Sequence, residues 1–316
     1  MAYAIRLAEL RSFRTTAEAL RVSQPALTRS IQKLEVTLGV TLFDRLPAGA
    51  EPTAFGAAFL ENARLILQGR DDLLRNMQLL AGLEIGTIRI SAGAYPYDLH
   101  VPHIAGWLGT QNPGLSCRLR LGNWREVTAH VLSREADLGI AELSEAVNDE
   151  RLSTEPVGRH AFYFYCRTDH PLLNERQITA TRILSVPWAS TRVPLRMASS
   201  FGTQRMKAGT IDAATKDFIP AWEVDAVSAA KQVVAGSDFI SGALLSQIEP
   251  EVSNGTLAVL PLSEVWMHLN YGFITLQGRS LSPASRLFME EFRRRDAELA
   301  DREAVLRRRY SIAPAA

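Results

Sequence analysis

Residues 24–33 carry side chains that could read a nucleic-acid duplex: Gln24, Ala26, Thr28, Arg29, Gln32 and Lys33 share one side of a helix-period pattern. Amides and a guanidinium can pair with base edges, small methyl-bearing side chains can meet a thymine methyl, and cations can neutralise phosphates. A routine solvated helix face would show similar residues, so on this segment alone both readings stand. The elements that must position the face are therefore informative. Leu27, Ile31, Leu34 and Leu38 fall at i, i+4, i+7 and i+11, which predicts a helix with one core face. Ser23 is placed to cap that helix, because its hydroxyl can accept an orphaned first-turn amide, and Pro25 is tolerated in the same turn. Gly39 is expected to end it. Upstream, Phe13, Ala17 and Leu20 recur at helical spacing, and Arg21-Val22-Ser23 reads as the turn of a helix-turn-helix.

Enzymatic chemistry finds less support. His100 and His103 are spaced as metal ligands on a helix could be, but no third ligand is evident, and Val101, Ile104 and Leu108 make that face a packing face. The sequence contains no nucleophile elbow, Walker loop, HExxH or CxxC pair. We expect no catalytic residues, no metal and no cofactor. Cys117 and Cys166 lie in strand-like segments, as buried thiols of a reducing compartment would; a redox switch is the sharper alternative.

The 316 residues, 47% hydrophobic and 22% charged, suffice for two or three domains of ordinary globular composition. No run approaches the roughly 18 unbroken apolar residues of a membrane span. The N-terminus carries Glu9 and scattered arginines where a secretory signal would be apolar, so a soluble, cytoplasmic protein is expected. A net charge of +1 is uninformative about nucleic acid, yet residues 1–45 hold seven Lys/Arg against four acids, a mild basic excess.

Thr53 can cap a helix continuing to about Leu83. Its apolar residues repeat every seven positions, with Phe59, Ile66, Leu73 and Leu80 in one row, Leu60, Leu67 and Leu74 beside it, and Arg70 interrupting. Such a repeat favours a coiled-coil seam; a helix packed on its own domain is the alternative. From Gly86 short strands alternate with helices, an α/β texture. GTIRISAG, LSCRLRLG and ADLGIAEL read as strands. The first leads into a loop, Ala94-Tyr95-Pro96-Tyr97, before a helix from about Asp98; the second leads to Asn123-Trp124 at a helix start. Trp124, Glu142, Ser190, Thr191 and Asp225 follow predicted strands, where open α/β sheets place ligands. The rings of Tyr95, Tyr97 and Trp124 suit an aromatic or amphiphilic ligand, or simply pack the domain. Residues 298–316 read as a charged tail, a solvated and partly frayed helix with Arg307–Arg309 near its end, or else a second contact to DNA or polymerase.

The stretch SFRTTAEALRVSQPALTRSIQKLEVTLGVTLFDR resembles the LysR-type transcriptional regulators. Ser12, Phe13, Ala17, Leu20, Ser23, Gln24, Pro25, Ala26, Leu27, Thr28, Ile31, Leu34, Glu35, Leu38, Gly39, Leu42, Phe43 and Arg45 match the family's spacing over 34 residues. The resemblance implies an all-α winged helix-turn-helix at 1–52, a dimerising linker helix at 53–83, and a periplasmic-binding-protein-like α/β effector domain at 86–297. In that domain lobe I would be 86–161 plus 267–297 and lobe II 162–266. It implies DNA contacts from Ser23, Gln24, Pro25, Ala26, Thr28, Arg29, Gln32, Lys33 and, opening the wing, Arg45. Tyr95 and Asn123 occupy the two positions where the family commonly sets a hydroxyl residue against a small-molecule effector. The implied partners are an operator in double-stranded DNA, RNA polymerase for an activator, and further copies of the chain as homodimer or homotetramer. A solute-binding protein with an N-terminal dimerisation module, or a regulator without an effector, remain alternatives.

The sequence departs from the family in three places. Some seven residues usually precede the position of Met1, a Phe usually stands at Ala4, and the wing has Pro52 and no Lys or Arg between Arg45 and Arg64. The first helix is thus expected to be short and DNA binding to lean on residues 24–33 and on oligomerisation.

Overall fold

The helix-turn-helix is built by its caps. In the computed structural model, which describes residues 1–46, 49–80, 86–201 and 206–312, Ser12 accepts from the Thr15 amide at 3.3 Å and Ser23 from the Ala26 amide at 3.3 Å. These caps start α2 (Phe13–Ala19) and α3 (Gln24–Leu38), which follow α1 (Ala2–Leu10). Gly39 ends α3 at φ 71, a left-handed conformation that glycine adopts without strain. A hairpin of β1 (Phe43–Leu46) and β2 (Gly49–Pro52) follows, with Arg45 opposite Ala50. It is held to α3 by Glu35, whose carboxylate accepts from the amides of Leu42 at 2.8 Å and Phe43 at 3.3 Å.

Ala4, Leu7, Ala17, Leu27, Ile31, Leu42, Phe43, Ala50 and Leu60 form the core of this unit, Met1–Leu83. Helix α1 has nine residues, of which Ala4 and Leu7 are fully buried and close the core. The apolar stripe of α3 is only half covered. Leu27 and Ile31 are buried, whereas Leu38 is 44% exposed, so the expected core face does not run the helix's full length. Thr53 caps α4 (Ala54–Leu80) by accepting from the Gly56 amide at 3.0 Å. A Cβ on Gly56 would lie 2.0 Å from the Leu42 carbonyl oxygen, so only glycine lets this helix meet the hairpin. Leu60 and Ala63 pack inward, while Ile66, Leu73, Leu74 and Met77 are all more than half exposed. Residues 81–83 and the Leu80 side chain lie outside the described residues.

The second unit, Glu84–Ala316, is mixed α/β. Its first half runs β3 (Gly86–Ala92), α5 (Ala94–Leu99), α6 (Val101–Gln111), β4 (Leu115–Leu121), α7 (Trp124–Leu132), β5 (Leu138–Ala141) and β6 (Leu152–Ala161). Beyond it come β7 (Tyr163–Arg167), α8 (Ala180–Leu184), β8 (Ala189–Ser190), α9 (Leu195–Ala198), β9 (Gly209–Ile211), β10 (Phe218–Pro220), β11 (Trp222–Glu223) and α10 (Val227–Ala235). The chain continues through β12 (Ser241–Ala243), α11 (Leu245–Ser253) and β13 (Leu257–Val259) and returns as β14 (His268–Leu276) and α12 (Pro283–Arg309).

The larger sheet has the order β4-β3-β5-β14-β6, with β3 parallel to β4 and β5. The smaller has the order β12-β7-β13. Strands β6 and β14 pair antiparallel from Leu152 opposite Leu276 to Ala161 opposite His268, and both lead from the larger sheet into the second half. One core, with Ile88, Ile90, Val101, Ile104, Leu108, Phe273, Phe288 and Phe292, backs the larger sheet. The other is aromatic, with Phe164, Trp188, Phe201 and Phe218 in tilted or edge-to-face contact.

Three local expectations are corrected. Ala94-Tyr95-Pro96-Tyr97 is not a loop but the first turn of α5, where Pro96 is tolerated because first-turn amides lack intrahelical partners. His100 and His103 do not share a face: His100 is buried at the joint of α5 and α6, and His103 is exposed. The tail expected to be solvated from residue 298 continues α12 as far as Arg309, with Leu299, Glu303 and Leu306 buried. Cys166 is buried in β7 and Cys117 half-buried in β4, both free; burial pushes their thiols up to about 12 and about 11, away from the reactive thiolate.

Candidate functional site

The face singled out on α3 stands clear of the core. Gln24, Pro25, Arg29, Gln32 and Lys33 are exposed, Ala26 and Thr28 half-buried, with Leu27 and Ile31 buried on the opposite side. Gln24, Pro25, Thr28 and Arg29 border one shallow depression. Arg29 Nε donates to the Pro25 carbonyl at 3.3 Å, which holds the base of the guanidinium against the first turn. The Ser23 hydroxyl is occupied as the cap, so its part here is to set the helix start. The Arg45 backbone lies in β1, but its side chain is outside the described residues.

In the second unit a cleft with about 700 Å³ of empty space, part of it open solvent, lies between the two halves. Tyr95, Asn123, Trp124, Glu142, Thr191 and Asp225 all line it. Ser190 does not; it is buried beside Thr191, where both side chains neighbour the Tyr95 hydroxyl. Burial raises the Tyr95 phenol against the opposing hydrogen bonds of Thr191 and Ser190, and the hydroxyl donates to the Gly242 carbonyl at 3.1 Å. Asn123 caps α7 in a capping box with Glu126, accepting from the Arg125 and Glu126 amides at 3.0 and 3.1 Å. Trp124 is mostly core, packed with Val127 and Val131. Tyr97 packs against the larger sheet and does not line the cleft.

Sequence reasoning missed the cations. Arg192 and Arg196 line the cleft from the second half. Arg192 is paired with Glu223 at 2.8 Å. Arg196 Nη2 donates to the His268 carbonyl at 3.1 Å, while its buried Nε makes no hydrogen bond and faces the Glu142 carboxylate at 3.6 Å. The direct contacts Arg125–Asp217 (2.9 Å) and Gln247–Asp98 (2.9 Å) join the two halves as well. Arg192 and Arg196 follow a predicted strand by only two and six residues, but nothing in the sequence aimed them inward.

Tyr271, at the floor of the cleft, belongs to a buried network. Its hydroxyl donates to Asp296, which also accepts from His160 Nε2 at 3.1 Å to each oxygen. His100 Nε2 is 3.5 Å from the same carboxylate, just beyond a well-formed bond. Burial alone would raise the Asp296 carboxyl; these donors outweigh it and hold it well below the usual carboxylate range. Among the described residues no group of three or more His, Cys, Asp or Glu is placed to hold a metal ion, and no helix is long and apolar enough to cross a membrane.

Comparison with known proteins accounts for both units. The model of the bacterial regulatory helix-turn-helix protein, lysR family, matches residues 1–57, and that of the LysR substrate binding domain matches residues 81–297. The chain is 34% identical over 285 residues to the SDS degradation transcriptional activation protein of a Pseudomonas species, covering 89% of this chain and 90% of that protein. It is 29% identical to the HTH-type transcriptional regulator CbbR of Sinorhizobium medicae, covering 87% and 85%. Among solved structures, full-length CbnR complexed with its target DNA matches with a TM-score of 0.61 at 21% identity, over 93% of this chain and 97% of that one. Full-length BenM matches at 0.51 and 20% identity, over 94% and 96%.

Proposed function

Since the chain belongs to the LysR family of bacterial transcriptional regulators, we propose that α3 reads the operator with Gln24, Thr28, Arg29, Gln32 and Lys33 and that the cleft binds a small organic anion as effector. The chain is a DNA-binding regulator with an effector-binding domain. The observation that carries the effector reading is Arg196 at the wall of the cleft, whose buried Nε makes no hydrogen bond and has only Glu142 at 3.6 Å for company, beside apolar Pro194, Met197 and Leu269. A carboxylate, sulfate or phosphate would complete that donor while an apolar portion covers the neighbouring side chains. A relative is named for the degradation of SDS, itself an amphiphilic anion. Tyr95, Asn123, Trp124, Glu142, Thr191 and Asp225 supply the remaining walls, with Ser190 supporting Tyr95. The protein acts in the cytoplasm as a homodimer or a pair of dimers joined through α4, meets RNA polymerase when it activates, and performs no catalytic step.

Operator titration at matched salt tests the reading face. Arg29→Ala and Gln32→Ala should each cost about 1–3 kcal/mol on the cognate site, whereas Lys33→Ala should weaken binding to all sequences alike and reduce the salt slope by about one. Unchanged operator affinity in both Arg29→Ala and Gln32→Ala would move the reading face elsewhere. For the cleft, the operator-binding response to a short-chain alkyl sulfate below its micelle concentration is the measurement. Arg196→Gln should shift the half-maximal concentration upward by about tenfold or more, as loss of a charged hydrogen bond implies, and Tyr95→Phe by less. A response indifferent to both changes would put the ligand outside this cleft.

A further inference from the structure

We propose that the effector-binding unit carries a second small-anion site, formed by Arg159, Tyr163, His268 and Arg307 and separate from the cleft. These residues line a cavity with about 700 Å³ of empty space, part of it open solvent, at the junction of β6, β7, β14 and α12. It shares no lining residue with the cleft.

Three observations point to an anion. The first is uncommitted positive charge. Among the described residues neither Arg159 nor Arg307 makes an ion pair, whereas Arg293, Arg294, Arg295 and Arg309 of the same region each sit on a glutamate. The second is a buried donor without an acceptor. Tyr163 is 1% exposed, and its hydroxyl has no hydrogen-bond partner although Arg307 stands beside it; a buried hydroxyl left unpaired is costly. The third is that the one carboxylate lining the cavity, Glu303, and the neighbouring Asp296 already accept hydrogen bonds from other groups. Glu303 accepts from the amides of Leu245 at 3.2 Å and Ser246 at 2.8 Å, and Asp296 holds His160. The cavity thus offers two guanidinium groups and a phenol against the single carboxylate of Glu303, whose oxygens are turned to two backbone amides. Forked guanidinium donors fit the planar or tetrahedral oxyanion of a carboxylate or phosphate, which the Tyr163 hydroxyl would complete. The His268 ring is anchored through Nδ1 to the Val265 carbonyl at 3.1 Å, fixing the wall opposite α12.

The site rests on the strand pair that also floors the cleft: the His268 carbonyl accepts from Arg196, and His160 shares Asp296 with Tyr271. An anion held here is therefore one short chain of hydrogen bonds from the cleft.

Calorimetric titration of the full-length protein with inorganic phosphate and, separately, with acetate, at constant ionic strength, tests the proposal. Saturable binding of one anion per chain is expected, with phosphate favoured by a phosphate-ester site and acetate by a carboxylate site. Arg159→Gln and Arg307→Gln should each weaken it at least tenfold, and Tyr163→Phe about threefold. Arg307→Lys, which keeps the charge but loses the fork, should fall between the parent and Arg307→Gln, and it keeps the test valid should the neutral variant fail to fold. Absence of saturable binding of either anion by the parent overturns the site. So does binding that is undiminished in Arg159→Gln together with either Arg307 variant.

Discussion

Asp296→Ala is expected to destabilise the effector-binding unit by about 3–5 kcal/mol, the range found when one partner of a buried ion pair is removed. The carboxylate is nearly enclosed and accepts from His160 and Tyr271, with His100 at 3.5 Å. Deleting it strands two buried donors and opens a void. All five tryptophans, Trp107, Trp124, Trp188, Trp222 and Trp266, lie in this unit, so tryptophan fluorescence during urea unfolding of the full chain reports on it alone. Asp296→Asn should cost roughly half as much, since an amide oxygen can still accept from Tyr271. A loss below about 1 kcal/mol for Asp296→Ala would mean that the network is dispensable. The parent's pH profile should agree. Because the folded carboxyl titrates below its unfolded counterpart, its stabilisation is complete above the ordinary carboxylate range and is lost as pH falls below about 4. The Asp296→Ala protein should lack that part of the acid limb.

The second large effect concerns assembly. Leu73→Glu with Leu74→Glu should convert the protein to monomers and lower operator affinity by about 10²–10⁴-fold, because two tethered reading heads gain that much from effective concentration. Both leucines are more than half exposed on α4, in line with exposed Ile66 and Met77 at heptad spacing. Such a row on a single chain is what a coiled-coil seam leaves open. Sedimentation and operator titration on the same samples check this. A double variant that remains dimeric would show that α4 is not the seam.

The DNA-reading unit could be read from the sequence because its signals are local. Ser23, Pro25, Gly39 and the Leu27–Ile31 spacing fix α3 within a few residues, and the structure has each in that role. Leu38 misled because amphipathic spacing reports which face is apolar, not what covers it. In the second unit, strands and helix starts were readable for the same reason, Asn123 above all. Pro96 reads equally well as loop or helix start, because a proline in a first helical turn looks in sequence the same as one in a turn. The cleft arginines and the Asp296 network were hidden because their partners lie far along the chain. His160 meets Asp296 across 136 positions and Arg196 meets the His268 carbonyl across 72. They meet only once β6 and β14 have paired and α12 and α9 have packed against them.

The C-terminal helix has a mechanical consequence. Arg293 of α12 is paired with Glu155 of β6, and further along Glu303 caps the start of α11 while Arg309 pairs with Glu249 of α11. One rigid rod of 27 residues is thereby riveted to both halves of the effector-binding unit. Two lobes joined only by a strand pair could swing widely about it; with this splint in place, wide opening would first have to break the Glu303 cap. Ligand binding in this protein should thus register as a small twist or a redistribution among closely related shapes rather than as a jaw that opens and shuts.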